Sequence, residues 1–292
     1  MEQLIDAFGL YLDTVKKASA NTISSYKRDL KKMALYMERR GVTSISDVTE
    51  DRLFSYINSM QEEHCATSSI IRSLTSIKAF FRFLLENGNI QDNPAEGVKS
   101  PKASQTMPRI MSSYEIESLL SQEFTDDAIG KRDKAILELM YATGLRTSEL
   151  VELELGNIDM SLNCLRLGTS RVIPYGQKAK EALNDYLLNA RDEMMADKSG
   201  GDQHVFVNYK GVPMSRQGLW KLIKTYVKRA GIDMNITPYS LRHSFTMHLI
   251  ENGADLGAVQ EMMGISDTST LSKYARAKGK NKDPYEWARI RN

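Results

Sequence analysis

Residues 237–264, TPYSLRHSFTMHLIENGADLGAVQEMMG, decide how this chain is read. Thr237 followed by Pro238 marks a helix opening, because proline at the first helical position gives up an N–H that has no partner there anyway. Leu241, Phe245 and Leu249 follow on one stripe, Gly253 stops the run, and a shorter helical segment reaches Gly264. Tyr239 stands three residues before Arg242, so the helical repeat puts both on one face. His248 falls on the apolar stripe, the place of a packed core histidine.

Upstream, Ser215 to Ala230 reads as another helix, stopped by Gly231. Before it the pattern becomes β-prone: CLRL and RVIPY, separated by Gly168, Thr169 and Ser170, predict a hairpin with a very short turn, and HVFVN at 204–208 is a candidate third strand. A helix over about Lys131 to Tyr141 and a shorter one capped by Ser112 with Glu115 precede them. The first hundred residues predict helices only. One starts at Leu4, a second is N-capped by Asn21 and closed by Gly41, a third covers Glu50 to Glu62, and a fourth covers Ser68 to Glu86. Between Asn93 and Arg109 periodicity vanishes and Pro94, Pro101 and Pro108 appear, the composition of a linker. The expected organisation is a helical domain over 1–97, a linker over 98–110, and a helical domain with a small sheet over 111–292.

Composition narrows the function classes. Lys plus Arg number 39 and Asp plus Glu 37, a formal charge of +2 that neither demands nor excludes nucleic acid. No run of about 20 apolar residues and no secretory leader pattern is present, so a cytoplasmic protein with no membrane partner is expected. The two cysteines, Cys65 and Cys164, form no CxxC and suit a reducing compartment. Four histidines at unsuitable spacing predict no metal site, and the lack of GxGxxG, GxxxxGK[ST] and GxSxG leaves nucleotide and serine-hydrolase chemistry without a foothold. No cofactor is expected.

Three segments remain: YATGLRTSELVEL at 141–153, the 237–264 stretch, and SDTSTLSKYARA at 266–277. In order and spacing they resemble the motif boxes of the tyrosine recombinase (phage integrase) family, and the helical first domain resembles the DNA-binding core domain of its Xer branch. The resemblance spans nearly the whole chain. It implies a mainly α fold with a small β-sheet: a SAM-like core-binding domain and an α+β catalytic domain. It also implies a site-specific recombinase on double-stranded DNA, working as a homo- or hetero-oligomer in a tetrameric synapse. By the same resemblance Arg146 and Arg242 grip the scissile phosphate, and Tyr274 is the nucleophile that forms a 3′-phosphotyrosyl intermediate. The residue types suit that chemistry. A planar guanidinium donates two hydrogen bonds to phosphate oxygens, and a phenol with a pKa near 10 needs such a cationic pocket before it attacks.

The chain also departs from the family pattern. The hairpin lysine that acts as general acid is missing from CLRLGTSRVIPYG, where Arg166 and Arg171 flank the shortened turn without a pKa suited to proton transfer. The histidine three residues before the second arginine is Tyr239, included in the catalytic set as a phosphate hydrogen-bond donor, and the His or Trp after the second-box glycine is Ile265. These changes leave open a recombinase with an unusual acid and base set and a Xer-like DNA-binding protein that has lost cleavage. A topoisomerase-like relaxing activity is chemically close to the first. Lys27, Lys31, Arg72, Lys78 and Arg82 are candidates for a DNA-facing surface on the first domain, and the basic tail after Tyr274, with Tyr285 and Trp287, resembles a segment that docks on a neighbouring protomer.

Overall fold

A computed structural model describes residues 1–101, 109–195, 203–232 and 236–265. Tyr274, the tail that follows it and residues 102–108 of the expected linker lie outside the described residues. Contacts divide the chain after Thr106 into two units, each with its own apolar core. Most of both is helical, with one small sheet in the second. No described helix is long and apolar enough to cross a membrane.

The first unit holds α1 (Glu2–Thr14), α2 (Ala20–Glu38), α3 (Glu50–Glu62) and α4 (Thr67–Glu86). Each buries one stripe. Ile5, Phe8 and Leu12 of α1 meet Leu74, Ile77, Phe80 and Phe81 of α4, with the Phe8 and Phe80 rings edge to face at 5.5 Å. The cap of α2 is Ser19 rather than Asn21: its hydroxyl accepts the Thr22 N–H at 3.2 Å, which leaves Asn21 inside the first turn. Both residue types cap well, and only the path of the chain chooses between them.

The second unit contains α5 (Ser113–Leu120), α6 (Ala128–Thr143), α7 (Thr147–Val151), β1 (Ile158–Asp159), β2 (Cys164–Leu167) and β3 (Arg171–Pro174). These are followed by α8 (Gln177–Asn189), α9 (Arg191–Met195), α10 (Arg216–Arg229), α11 (Pro238–Glu251) and α12 (Leu256–Met263). Glu115 and Ser112 form the expected capping box of α5. The sheet is antiparallel in the order β1-β2-β3, with Leu167 opposite Arg171 at the mouth of the hairpin. Its third strand is β1, not residues 204–208. There the backbone makes only isolated bridges, His204 to Glu154 and Val207 to Pro213, because side chains take the groups a strand would pair. Tyr186 Oη donates to the Val205 carbonyl at 3.0 Å, and the Arg191 guanidinium donates to the His204 carbonyl at 2.8 Å. Helix α11 runs through the middle of the unit and is buried from Pro238 to Leu249 on nearly every side, Tyr239 excepted.

Candidate functional site

Gly144 ends α6 in the left-handed conformation, φ +59°, with its N–H returned to the Met140 carbonyl at 2.9 Å. That turn throws the chain into α7 with Arg146 at its N-cap. Glu149, one turn on, reaches back so that its Oε2 accepts the Arg146 N–H at 2.7 Å while its Oε1 accepts from Arg146 Nη1 at 2.7 Å. A single carboxylate thus caps α7 and holds the Arg146 side chain.

Arg242 approaches from α11. Its Nη1 donates to the Gly144 carbonyl and its Nη2 to the Met263 carbonyl at 2.6 Å. The residue is only 9% exposed, and burial, followed by the charge of Arg146, lowers its pKa to about 10. It remains a cation at neutral pH. A buried charge stripped of its partner costs about 3–5 kcal/mol, so the two carbonyls are part of what keeps Arg242 inside.

The third element is the end of α12. Gly264 closes it at φ +57°, and the Ile265 N–H returns to the Gln260 carbonyl at 3.1 Å. A helix leaves its last carbonyls without intrahelical partners. Here three successive ones each take an arginine: Met262 accepts Arg171 Nε at 2.8 Å, Met263 accepts Arg242, and Gly264 accepts Arg146 Nη2. The negative end of the helix dipole favours the cations gathered there. Mutual repulsion is further reduced by Glu149. Burial alone would raise its pKa, but the Arg146 N–H and the two guanidinium groups outweigh that and hold it below the usual carboxylate range.

Arg146 and Arg242, far apart in sequence, therefore meet on the Met263–Gly264 carbonyls. Arg146 is the outer of the two, its side chain 43% exposed. Tyr239, on the first turn of α11, is 59% exposed, and its ring lies edge-on against the buried His243 ring at 4.3 Å between centroids. His248 is buried with Nδ1 2.9 Å from Tyr141 Oη, the packed position its stripe predicts. Ile265 packs against the core with no polar side-chain atom to offer.

Sequence reading missed Glu149 and left Arg171 beside Arg166 without a role. The hairpin separates the two arginines. Side chains alternate across a strand, so Leu165, Leu167, Arg171 and Ile173 share the inner face while Arg166 and Val172 share the outer one. Arg166 pairs outside with Asp159 at 3.0 Å, and Arg171 turns in to Glu149 at 2.5 Å. The register was legible, but which face meets α12 was not.

On the first unit, Lys27 and Lys31 of α2 make exposed ion pairs with Asp6 and Glu2 of α1. Such pairs are weak and salt-screened, and leave both lysines available. Lys78 donates to the Glu96 carbonyl at 3.4 Å, and Arg82 pairs with Glu86 at 3.5 Å. Arg72 differs: its fork grips Asp29, a buried carboxylate, at 2.8 and 3.1 Å. That pair ties Arg72 into the packing of α2 on α4, while its side chain stays 45% exposed.

Comparison with known proteins agrees with this layout. Residues 109–281 match the Phage integrase family, and residues 5–88 match the Phage integrase, N-terminal SAM-like domain. The chain is 43% identical over 273 residues to the Tyrosine recombinase XerD of Halalkalibacterium halodurans, covering 91% of each chain. It is 37% identical over 292 residues to the Tyrosine recombinase XerD of Listeria innocua, covering 98% of each. Among solved structures, the XerH site-specific recombinase bound to palindromic difH substrate, in a post-cleavage complex, superposes with a TM-score of 0.73 at 19% identity. That match covers 90% of this chain and 78% of that one, and shows a shared fold.

Proposed function

The chain belongs to the phage integrase family, and on that premise we propose that Arg146, Arg242, Tyr239 and Tyr274 form the strand-cleaving site of this Xer-type tyrosine recombinase. The protein is a site-specific recombinase that cuts and rejoins DNA strands. Its relatives over nearly the full chain are recombinases of this kind.

One observation carries the site: the convergence of Arg146 and Arg242 on consecutive carbonyls, with the buried arginine behind and the exposed one in front. Charge gathers on the nonbridging oxygens as a phosphodiester passes through a pentacoordinate state, and donors already fixed in place stabilise it without reorganising. Arg146 and Arg242 supply those donors. Tyr239 adds a phenolic O–H from the same helix face and acts as a hydrogen-bond donor, since phenol is a poor base at neutral pH. The Tyr274 oxygen attacks phosphorus, a Tyr–O–P bond forms as the P–O5′ bond breaks, and the phenolic proton is lost while the 5′ oxygen gains one. The 3′-phosphotyrosyl link retains the energy of the broken bond, so rejoining to a second strand needs neither ATP nor a cofactor. Exchange between two duplexes calls for four such attacks, the task of a tetrameric synapse of like or paired protomers. Acting on DNA, the protein works in the cytoplasm.

The hairpin tip Gly168–Thr169–Ser170 and Ile265 favour a second reading, tight DNA binding without cleavage. Losing a general acid costs about 10²–10⁴ in rate. Covalent capture separates the two. The substrate is a nicked suicide duplex carrying a site recovered by binding selection, and wild type is run beside Y274F and R242A on a denaturing gel. An adduct in wild type that both variants lack supports the recombinase; specific binding with no adduct overturns it in favour of the binding protein.

A further inference from the structure

We propose that Arg171 is a positioning residue of the cleavage site, acting through Glu149 to aim Arg146 at the scissile phosphate; the inference rests on the recombinase reading above. Glu149 Oε1 accepts from both guanidinium groups, Arg171 Nη1 at 2.5 Å and Arg146 Nη1 at 2.7 Å. Arg171 is thus the second anchor of the carboxylate that orients Arg146. The same side chain clamps Met262 through Nε, beside the Gly264 carbonyl that Arg146 holds.

Depth assigns the two arginines different jobs. The Arg171 side chain is 15% exposed against 43% for Arg146, so Arg171 stands behind the group that meets the substrate. Its Nη2 is buried and finds no hydrogen-bond partner among the described residues, so the other two nitrogens do the holding. Gly264 fits this frame closely: a Cβ there would lie 3.2 Å from Arg171 Nη1 and 3.3 Å from Arg146 Nη1. Without Arg171, Glu149 keeps one cation instead of two, and the carboxylate and Arg146 are free to swing together toward solvent. A lysine at 171 places one nitrogen where two directions must be served.

The test uses the full chain with saturating suicide DNA bearing the selected site, and measures the first-order rate of adduct formation, the DNA Kd and the Tm. A misplacement of about 1 Å can cost 10²-fold, so R171Q is expected to form adduct about 10- to 100-fold more slowly with Kd within about threefold of wild type. R171K should fall between the two and serves as the decisive variant if R171Q loses its cooperative melt. R166Q, on the outer face of the hairpin, should cleave at the wild-type rate. In a double-mutant cycle the penalties of R171Q and R146K should combine to less than their product. An R171Q rate equal to wild type, or penalties that multiply in full, overturns the positioning role. A rate loss matched by an equal loss of Kd overturns it as well. A wild type that binds and never forms adduct fails at the prior step and removes the recombinase reading, and the proposal with it.

Discussion

Gly144 shows how narrowly single residues are constrained around the site. Its backbone sits at φ +59°, and a Cβ would lie 2.5 Å from Phe245 Cδ1 and 2.9 Å from Met263 Cε, on the two helices that present Arg242 and the α12 carbonyls. Gly231 offers a control: φ is +69°, yet among the described residues nothing lies within 4 Å of the added Cβ. Alanine at either position meets the left-handed penalty of about 1–2 kcal/mol. Only at Gly144 does overpacking add about 1–3 kcal/mol more. Urea unfolding of G144A and G231A should therefore differ by that second amount. Equal midpoints would mean that Phe245 and Met263 give way freely and that the close approach does not matter. The same crowding explains why a fork is needed at 242, since Nη1 and Nη2 serve carbonyls on two different elements and a lysine reaches one.

At the scale of elements, α11 couples the site to the core, and its burial has a pH signature. His243 and His248 both have pKa values lowered, by burial first and then, for His243, by Arg242. In the unfolded chain they titrate near the usual value of about 6.5, so below that pH the unfolded state binds more protons and stability rises with pH. The contribution is complete above about 6.5 and is lost as pH falls toward the lower folded values. Glu149, also depressed, adds a second loss only below its ordinary value of 4.5. Asp133 works the other way, because burial raises its pKa. Comparison with H248Q cancels that contribution: the fall in Tm between pH 7.5 and 5.5 should be smaller in H248Q than in wild type. An equal fall would assign the acid sensitivity elsewhere. The buried role of His248 was legible from its stripe with Leu241, Phe245 and Leu249, as were the helices of the first unit, each with one apolar face. The strand expected at 204–208 was not, because Tyr186 and Arg191, distant in sequence, take its backbone groups. Arg171 escaped for a similar reason: alternation separates it from Arg166 but does not say which face another helix will cover. Arg146 and Arg242 stand out in the sequence through their motif boxes, and the helix end that gathers them became visible only in three dimensions.

For the whole molecule the question is how a chain with a formal charge of +2 holds a polyanion. Separate cores mean that each unit can present a basic face of its own while acidic residues lie elsewhere, so net charge says little about local potential. On the first unit a groove between α1 and α2 is lined by Lys27, Arg28, Lys31 and Lys32 against a single lining carboxylate, Asp13, together with the exposed Leu10 and Leu35. The partners of Lys27 and Lys31, Asp6 and Glu2, are exposed, so a phosphate can take their place at little cost. If these lysines meet the backbone, each contact releases condensed counterions, and log K falls against log salt with a slope of about −0.9 per contact. The K27Q/K31Q double variant of the full chain should then bind its selected duplex more weakly at low salt, with a slope shallower by about 1.8. Discrimination between the selected and a scrambled duplex should hardly change, because phosphate contacts position the protein without reading sequence. Titrations between about 50 and 200 mM salt cover the range in which the two slopes separate. An unchanged slope would place this face of α2 away from DNA and leave the phosphate contacts of the first unit to other helices.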